Sequence, residues 1–339
     1  MTNIGIVSWG TYFPAHIETA AEVAAATGIP EEIVVKKMGL VQKHIAGPDD
    51  HCATMGAKAA QQALERAGVS PHEVNLIIYH GSEYKEHFVW SAATRIQELI
   101  GAENAGAFEL YALCAGAPIA FKTARAMMLE DNSLKYVLLV TASRENDLVH
   151  YDNERARFMF NFGAGAGAVL LKREYSENIV LGSSVISDGV LSHSVVMKAG
   201  GSCMPPSEQT VQQDLHQLDV PDLKFMGERL GEVSHSNFLQ VIRQAVEKSG
   251  YQVEDIDFLG LVHMKRSAYD AILADLGLRQ EQSIYLDHYG HVQSVDQIIA
   301  LDLAHQRGIL KDGDLVVLAG AGTGYTWSAV AIRWGKETL

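Results

Sequence analysis

Residues 108–127 read FELYALCAGAPIAFKTARAM: a short apolar strand, a run of small residues, then a helical pattern through Ile119–Leu129. The turn between strand and helix holds Cys114 inside Leu113-Cys114-Ala115-Gly116-Ala117, where small side chains let backbone and ligand approach closely. A cysteine at a helix amino terminus meets the positive end of the helix, which favours thiolate over thiol. A buried structural cysteine remains an equal alternative on this motif alone. The same order of elements returns roughly 180 residues later in residues 285–304 (YLDHYGHVQSVDQIIALDLA), with His291 opposite Cys114 in that register. Residues 63–79 and 245–261 form a second pair, each a helix end, a glycine stop, a polar turn and an apolar strand. Residues 136–142 and 315–321, then 163–171 and 324–332, complete the echo. Such a repeat predicts a duplicated α/β fold with halves 1–175 and 176–339, the crossover falling near Arg173–Asn178 or within 200–221.

Across 339 residues, 47% are apolar and evenly spread, enough for a large core in one or two fused domains. No apolar run approaches the ~20 residues of a membrane span, and Met1–Trp9 lacks a basic segment leading into an apolar one. A cytoplasmic protein is expected. Cys52, Cys114 and Cys203 are the three cysteines, without a CxxC pair, so neither a disulfide framework nor a zinc site is suggested. Cys52 and Cys203 lack a helix-start setting and read as ordinary. The formal charge of −14 argues against nucleic acid as a partner. An acidic carrier would need a local basic patch, for which Lys36, Lys37 and Lys43, or Arg144, Arg155 and Arg157, are candidates.

His263 ends the apolar strand Phe258–Val262, and ligands of α/β sheets bind beyond such strand ends. His291 follows Tyr289-Gly290 at the start of the helix 294–303. A duplicated fold would bring Cys114, His263 and His291 to one point, where a thiol could carry an acyl group and two imidazoles could polarise a second carbonyl. Gly163–Ala168 lacks the Lys-Ser/Thr of a phosphate loop and reads as close packing. Gly320–Trp327 is glycine-rich before a strand, either to bend it tightly or to donate an N–H to an oxyanion.

Together these segments resemble the ketoacyl-acyl-carrier-protein synthase III family of the thiolase superfamily over nearly the whole chain. Phe108–Ala120 is similar to the family's nucleophile segment, Phe162–Ala168 (FGAGAGA) to its FGDGAGA, Asp188–Pro206 to its DG…GG…P stretch, and Gly320–Ser328 (GAGTGYTWS) to its TWG signature. The resemblance implies a thiolase fold in five α-β-α-β-α layers, a homodimer, and an acyl-enzyme on Cys114. It also implies a tunnel for the pantetheine arm of an acyl-CoA or acyl-carrier-protein thioester, and places His263 at the catalytic histidine. The oxyanion donors would be the Cys114 and Thr323 backbone N–H groups. Phe88, Val89, Trp90 and Phe160 are the expected tunnel side chains, and no metal or redox cofactor is expected.

Departures accompany the likeness. His291 stands where the family has an asparagine, as in the two-histidine elongating enzymes of the same superfamily. His263-Met-Lys-Arg-Ser departs from HQAN, and Ala164 replaces the aspartate of FGDGAGA. Ile33 and Val41 replace the tryptophan and arginine that grip the CoA adenine, which favours a carrier-protein donor. The function implied is decarboxylative Claisen condensation to a β-ketoacyl product. Its alternatives are acyl transfer to an alcohol or amine by the same fold, or a noncatalytic subunit of a synthase complex.

Overall fold

The computed structural model describes residues 2–336. Its principal sheet contains β1 (Ile4–Tyr12), β2 (Leu76–Tyr79), β3 (Gly106–Glu109), β4 (Tyr136–Ser143) and β5 (Gly165–Arg173) from the first half. The second half adds β6 (Ile179–Ser187), β7 (Ile256–Leu261), β8 (Leu315–Gly322) and β9 (Thr326–Arg333). The order across the sheet is β3-β2-β4-β5-β1-β6-β9-β8-β7, and the two sets meet where Gly5 pairs with Ile179. Each half repeats one register pattern. β2 runs parallel to β4 with Leu76 opposite Val137, and β4 runs antiparallel to β5 with Tyr136 opposite Lys172. In the same way β7 runs parallel to β8 with Ile256 opposite Leu315, and β8 antiparallel to β9 with Leu315 opposite Arg333.

Six helices cover these strands: α1 (Cys52–Ala67), α2 (Ala92–Ile100), α3 (Gly116–Glu130), α4 (Leu223–Glu247), α5 (Arg266–Asp275) and α6 (Asp296–Gln306). Side chains alternate across a strand, so a strand buried on both faces splits its residues between two cores. Ile78, Leu139 and Val169 of the first half, and Phe258, Leu318 and Val330 of the second, face a shared core with Phe121 of α3 and Ile298 of α6. Their sequence neighbours Ile77, Leu138 and Leu170 face α1 and α2. Leu259, Val317 and Ala329 face α4 and α5. The result is five layers, with α3 and α6 in the middle, as the thiolase resemblance implies. Both central helices start at strand ends beside one another, and that is where the reactive groups collect.

The halves superpose in a different register from the one the sequence echo suggests. Leu113 (φ 49°) and Gln293 (φ 55°) each take a left-handed backbone at the first residue of a single helical turn, Leu113–Ala115 and Gln293–Val295, that flows into α3 and α6. Ser294, not His291, is therefore the counterpart of Cys114. The expected strand at Tyr285 is also absent among the described residues; only Ser283 bridges to Leu259 there. Residues 188–221 carry short elements, including the helix Glu208–Gln212. No helix among the described residues is long and apolar enough to cross a membrane.

Candidate active site

The turn that presents Cys114 is braced from behind by the second half. Ala115 N–H donates to Ala112 O at 3.0 Å, closing the turn. Gln297 Nε2 donates to the Cys114 carbonyl at 3.3 Å, and Ser328 Oγ to the Ala115 carbonyl at 2.8 Å. The end of β8 lies so close that a Cβ on Gly322 would fall 2.2 Å from Ala112 O and 3.1 Å from Cys114 N. This explains the glycine-rich stretch: it lets two backbones touch where Cys114 sits. Thr323 lies in the turn that follows.

Cys114 Sγ is 3.0 Å from His291 Nε2, and both residues are buried. The other ring nitrogen, Nδ1, donates to Asp296 Oδ2 at 2.6 Å. Asp296 is fully buried at the first position of α6 and accepts two more bonds, from Val292 N–H and His263 N–H, each 2.7 Å. Its three donors and its place in the first turn of α6 fix its side chain. The His291 backbone is clamped by the loop after Phe160: His291 N–H donates to Asn161 O and Gly163 N–H donates to His291 O, both at 2.9 Å. Gly290 makes this clamp possible, since its φ of 68° and the 2.2 Å from a would-be Cβ to Asn161 O exclude any side chain. The Phe162 ring packs edge-on against His291 at 5.1 Å between centroids. FGAGAGA is thus closely packed, as its sequence suggested: Phe162 and Gly163 aim the imidazole, and Gly165–Ala168 open β5.

The two histidines differ in charge. Burial by itself lowers the His291 pKa, but the negative charges of Cys114 and Asp296 and their hydrogen bonds outweigh it and hold it well above the ordinary value. Burial pushes the His263 pKa down to about 4, only partly opposed by Asp296. His263 is therefore neutral near pH 7. Both its ring nitrogens are buried without a partner among the described residues, beside the Tyr285 ring at 4.6 Å. An unsatisfied buried imidazole is costly unless a ligand completes it.

Cys114, His263 and His291 are thus brought together through Asp296. The other expected positions fare differently. Phe88 and Val89 are 74% and 107% exposed, so within one chain they line no tunnel. Trp90 packs at the edge of the outer α1/α2 core, and Phe160 is buried with Ala156, Met159 and Tyr151. Lys43, proposed for a basic docking patch, lies inside the protein, 3.2 Å from Glu18 and donating to Phe160 O at 2.7 Å. Burial lowers its pKa to about 8. Arg144, Arg155 and Arg157 are ion-paired with Asp147, Asp219 and Glu154. Cys52 is buried and its thiol pKa is raised by burial, while Cys203 is exposed. Sequence reasoning passed over Asp296, Glu145 and Gln293. An acid in the first turn of α6 was the available signal for Asp296.

The sequence family described as 3-oxoacyl-[acyl-carrier-protein (ACP)] synthase III matches residues 108–189, and its C-terminal part matches residues 246–334. The beta-ketoacyl-[acyl-carrier-protein] synthase III of Acaryochloris marina is 31% identical over 337 residues, covering 99% of this chain and 98% of the relative. That of Rhizorhabdus wittichii is 29% identical over 336 residues, 98% of this chain and 100% of the relative. Among solved structures, 3-oxoacyl-[acyl-carrier-protein] synthase III from Aquifex aeolicus shares the fold with a TM-score of 0.84 at 24% identity, over 98% of this chain and 100% of that one. OleA from Xanthomonas campestris, solved with lauric acid and lauroyl-CoA, shares it with a TM-score of 0.82 at 18% identity, over 98% and 99%. Matched from end to end, the chain belongs to the 3-oxoacyl-[acyl-carrier-protein] synthase III family of thiolase-superfamily condensing enzymes.

Proposed function

We propose that the protein transfers an acyl group from a CoA or carrier-protein thioester to Cys114 and condenses it with a malonyl-type thioester. The observation that carries this reading is the 3.0 Å contact of Cys114 Sγ with an imidazole whose far nitrogen is held by a buried carboxylate. His291 holds the proton given up by the Cys114 thiol while sulfur attacks the incoming thioester, and passes it to the departing pantetheine thiolate. The oxyanion is held by backbone N–H groups at Cys114 and Thr323. Loss of carbon dioxide from the second thioester then leaves an enolate, which a neutral His263 stabilises by donating an N–H. The enolate carbon attacks the acyl-Cys114 carbonyl, the C–S bond breaks, and the β-ketoacyl thioester leaves with Cys114 as thiolate. No metal or redox cofactor enters this reading.

The Asp296 bond favours a second reading. Once Cys114 is acylated and its negative charge is gone, His291, with Nδ1–H donated to Asp296, is free to turn a lone pair toward the acyl group, which suits proton removal from an alcohol or amine attacking acyl-Cys114. An asparagine at this position could donate or accept a hydrogen bond but could not take the proton. Intact-protein mass spectrometry with acyl thioesters, on wild type and Cys114→Ala, tests the acyl-enzyme: label on wild type alone supports it, and label on both or neither overturns it. Adding malonyl-carrier protein, or an alcohol or amine, to the labelled enzyme separates the readings by which discharges it.

A homodimer is part of the proposal. β3 ends the sheet with an outer edge that no strand of the described chain covers, and Phe88, Val89 and Tyr111 are exposed beside it. An uncovered edge with apolar neighbours suits pairing with a second copy.

A further inference from the structure

Two residues past His291, the chain buries a polar side chain that the acyl chemistry leaves unused. The left-handed backbone at Gln293 belongs to the fold, since Leu113 takes it at the equivalent position in the other half. The amide does not. Where one half has a leucine, the other has a glutamine that is 5% exposed, and its Nε2 donates to Glu145 Oε1 at 2.5 Å. Gln293 Oε1 is buried with no partner among the described residues. Glu145 is 8% exposed, accepts the Ser143 hydroxyl, and has its carboxyl pKa raised by burial against the hydrogen bonds of Ser143 and Ser82 and the charge of His291. A half-satisfied amide and a buried carboxyl are both destabilising when they serve packing alone. The turn Gln293–Val295 packs directly against the turn Leu113–Ala115 that carries Cys114, so the unmade acceptor belongs to the segment next to the reactive thiol.

We propose that Gln293 and Glu145 form a polar wall beside Cys114 that receives a hydrogen-bond donor on the acyl chain, selecting short acyl groups with a hydroxyl or amino substituent over plain alkyl ones. The substituent donates to Gln293 Oε1 while Glu145 holds the amide in place. This rests on the acyl-Cys114 reading and adds to it the class of acyl group. The discrimination has a physical asymmetry behind it: an apolar wall tolerates an extra hydroxyl, whereas a wall built to bond one rejects the analogue that lacks it.

The test is a competition for Cys114 between butyryl, 3-hydroxybutyryl, 4-hydroxybutyryl and 3-aminobutyryl groups, offered together as CoA and as carrier-protein thioesters and read by intact mass. Wild type is expected to take at least one substituted group over butyryl by about ten-fold or more. Gln293→Met, similar in volume and without the acceptor, is expected to bring that ratio close to one while Cys114 still loads. Equal loading of butyryl and all substituted groups by wild type overturns the proposal, as does an unchanged ratio in Gln293→Met. The wild-type ratio needs no variant, so it decides even where Gln293→Met does not fold. A wild type that takes no label from any thioester removes the acyl-enzyme itself, an outcome distinct from loading without preference.

Discussion

Asp296 accepts three hydrogen bonds at a fully buried site, and its exchange for asparagine changes chemistry more than shape. The amide would offer an N–H to His291 Nδ1, flipping the ring tautomer so that Nε2 carries the proton toward Cys114. Asp296→Asn should slow any step in which His291 acts as base by about 10²–10⁴-fold, checked by stopped-flow acylation and by transfer to an alcohol or amine. The condensing half-reaction, which draws on an N–H donor, should suffer less, and equal losses in both would exclude the base role. His263 makes a prediction about pH. Its folded pKa is about 4 against an ordinary 6.5, so between these values the unfolded chain binds more protons and stability rises with pH. The protein should lose up to about 3 kcal/mol from this group as pH falls from 6.5 to 4, and His263→Asn should flatten that slope in urea titrations. His291 acts in the opposite sense, since its raised pKa gives a contribution complete below the unfolded value and lost as pH rises through the folded one.

Small residues decide how the elements approach. α1 presents Ala53, Gly56, Ala57, Ala60 and Ala63 to the sheet, and β1 answers with Gly10, where a Cβ would lie 2.2 Å from Ala59 O and 2.9 Å from Ala63 N. Both obstacles are backbone, so the helix itself would have to move. Gly10→Ala should destabilise by about 1–3 kcal/mol in a urea titration, and the α1 contact is disproved as the cause if a variant this small is neutral. The strand-to-helix turns were legible as elements because small residues, a strand and a helical period follow in order around Cys114. Their mutual register was not. It depends on the left-handed residue before each helix, and neither Leu113 nor Gln293 announces a positive φ by its type. That is why the sequence echo set His291 against Cys114 when Ser294 is the true counterpart.

Across the whole molecule the two halves are joined by a narrow contact between β1 and β6 and by a shared core around α3 and α6. The exposed edge at β3 should make it a dimer by analytical ultracentrifugation, and Phe88→Asp with Val89→Asp should shift it toward monomer; a wild type that stays monomeric at micromolar concentration would remove the dimer. By itself the sequence determined a duplicated α/β fold, a cysteine at a helix start and a histidine at a strand end, because periodicity, small-residue runs and helix boundaries are local properties of the chain, while the five layers were implied by the family resemblance. Only the tertiary structure decided that Asp296 holds both histidine segments, that Lys43 is interior, that Phe88 and Val89 face outward, and that Gln293 meets Glu145. Those contacts join residues such as Gln293 and Glu145 that lie 148 positions apart, and the direction of a side chain across such a distance is set by how the layers close on one another.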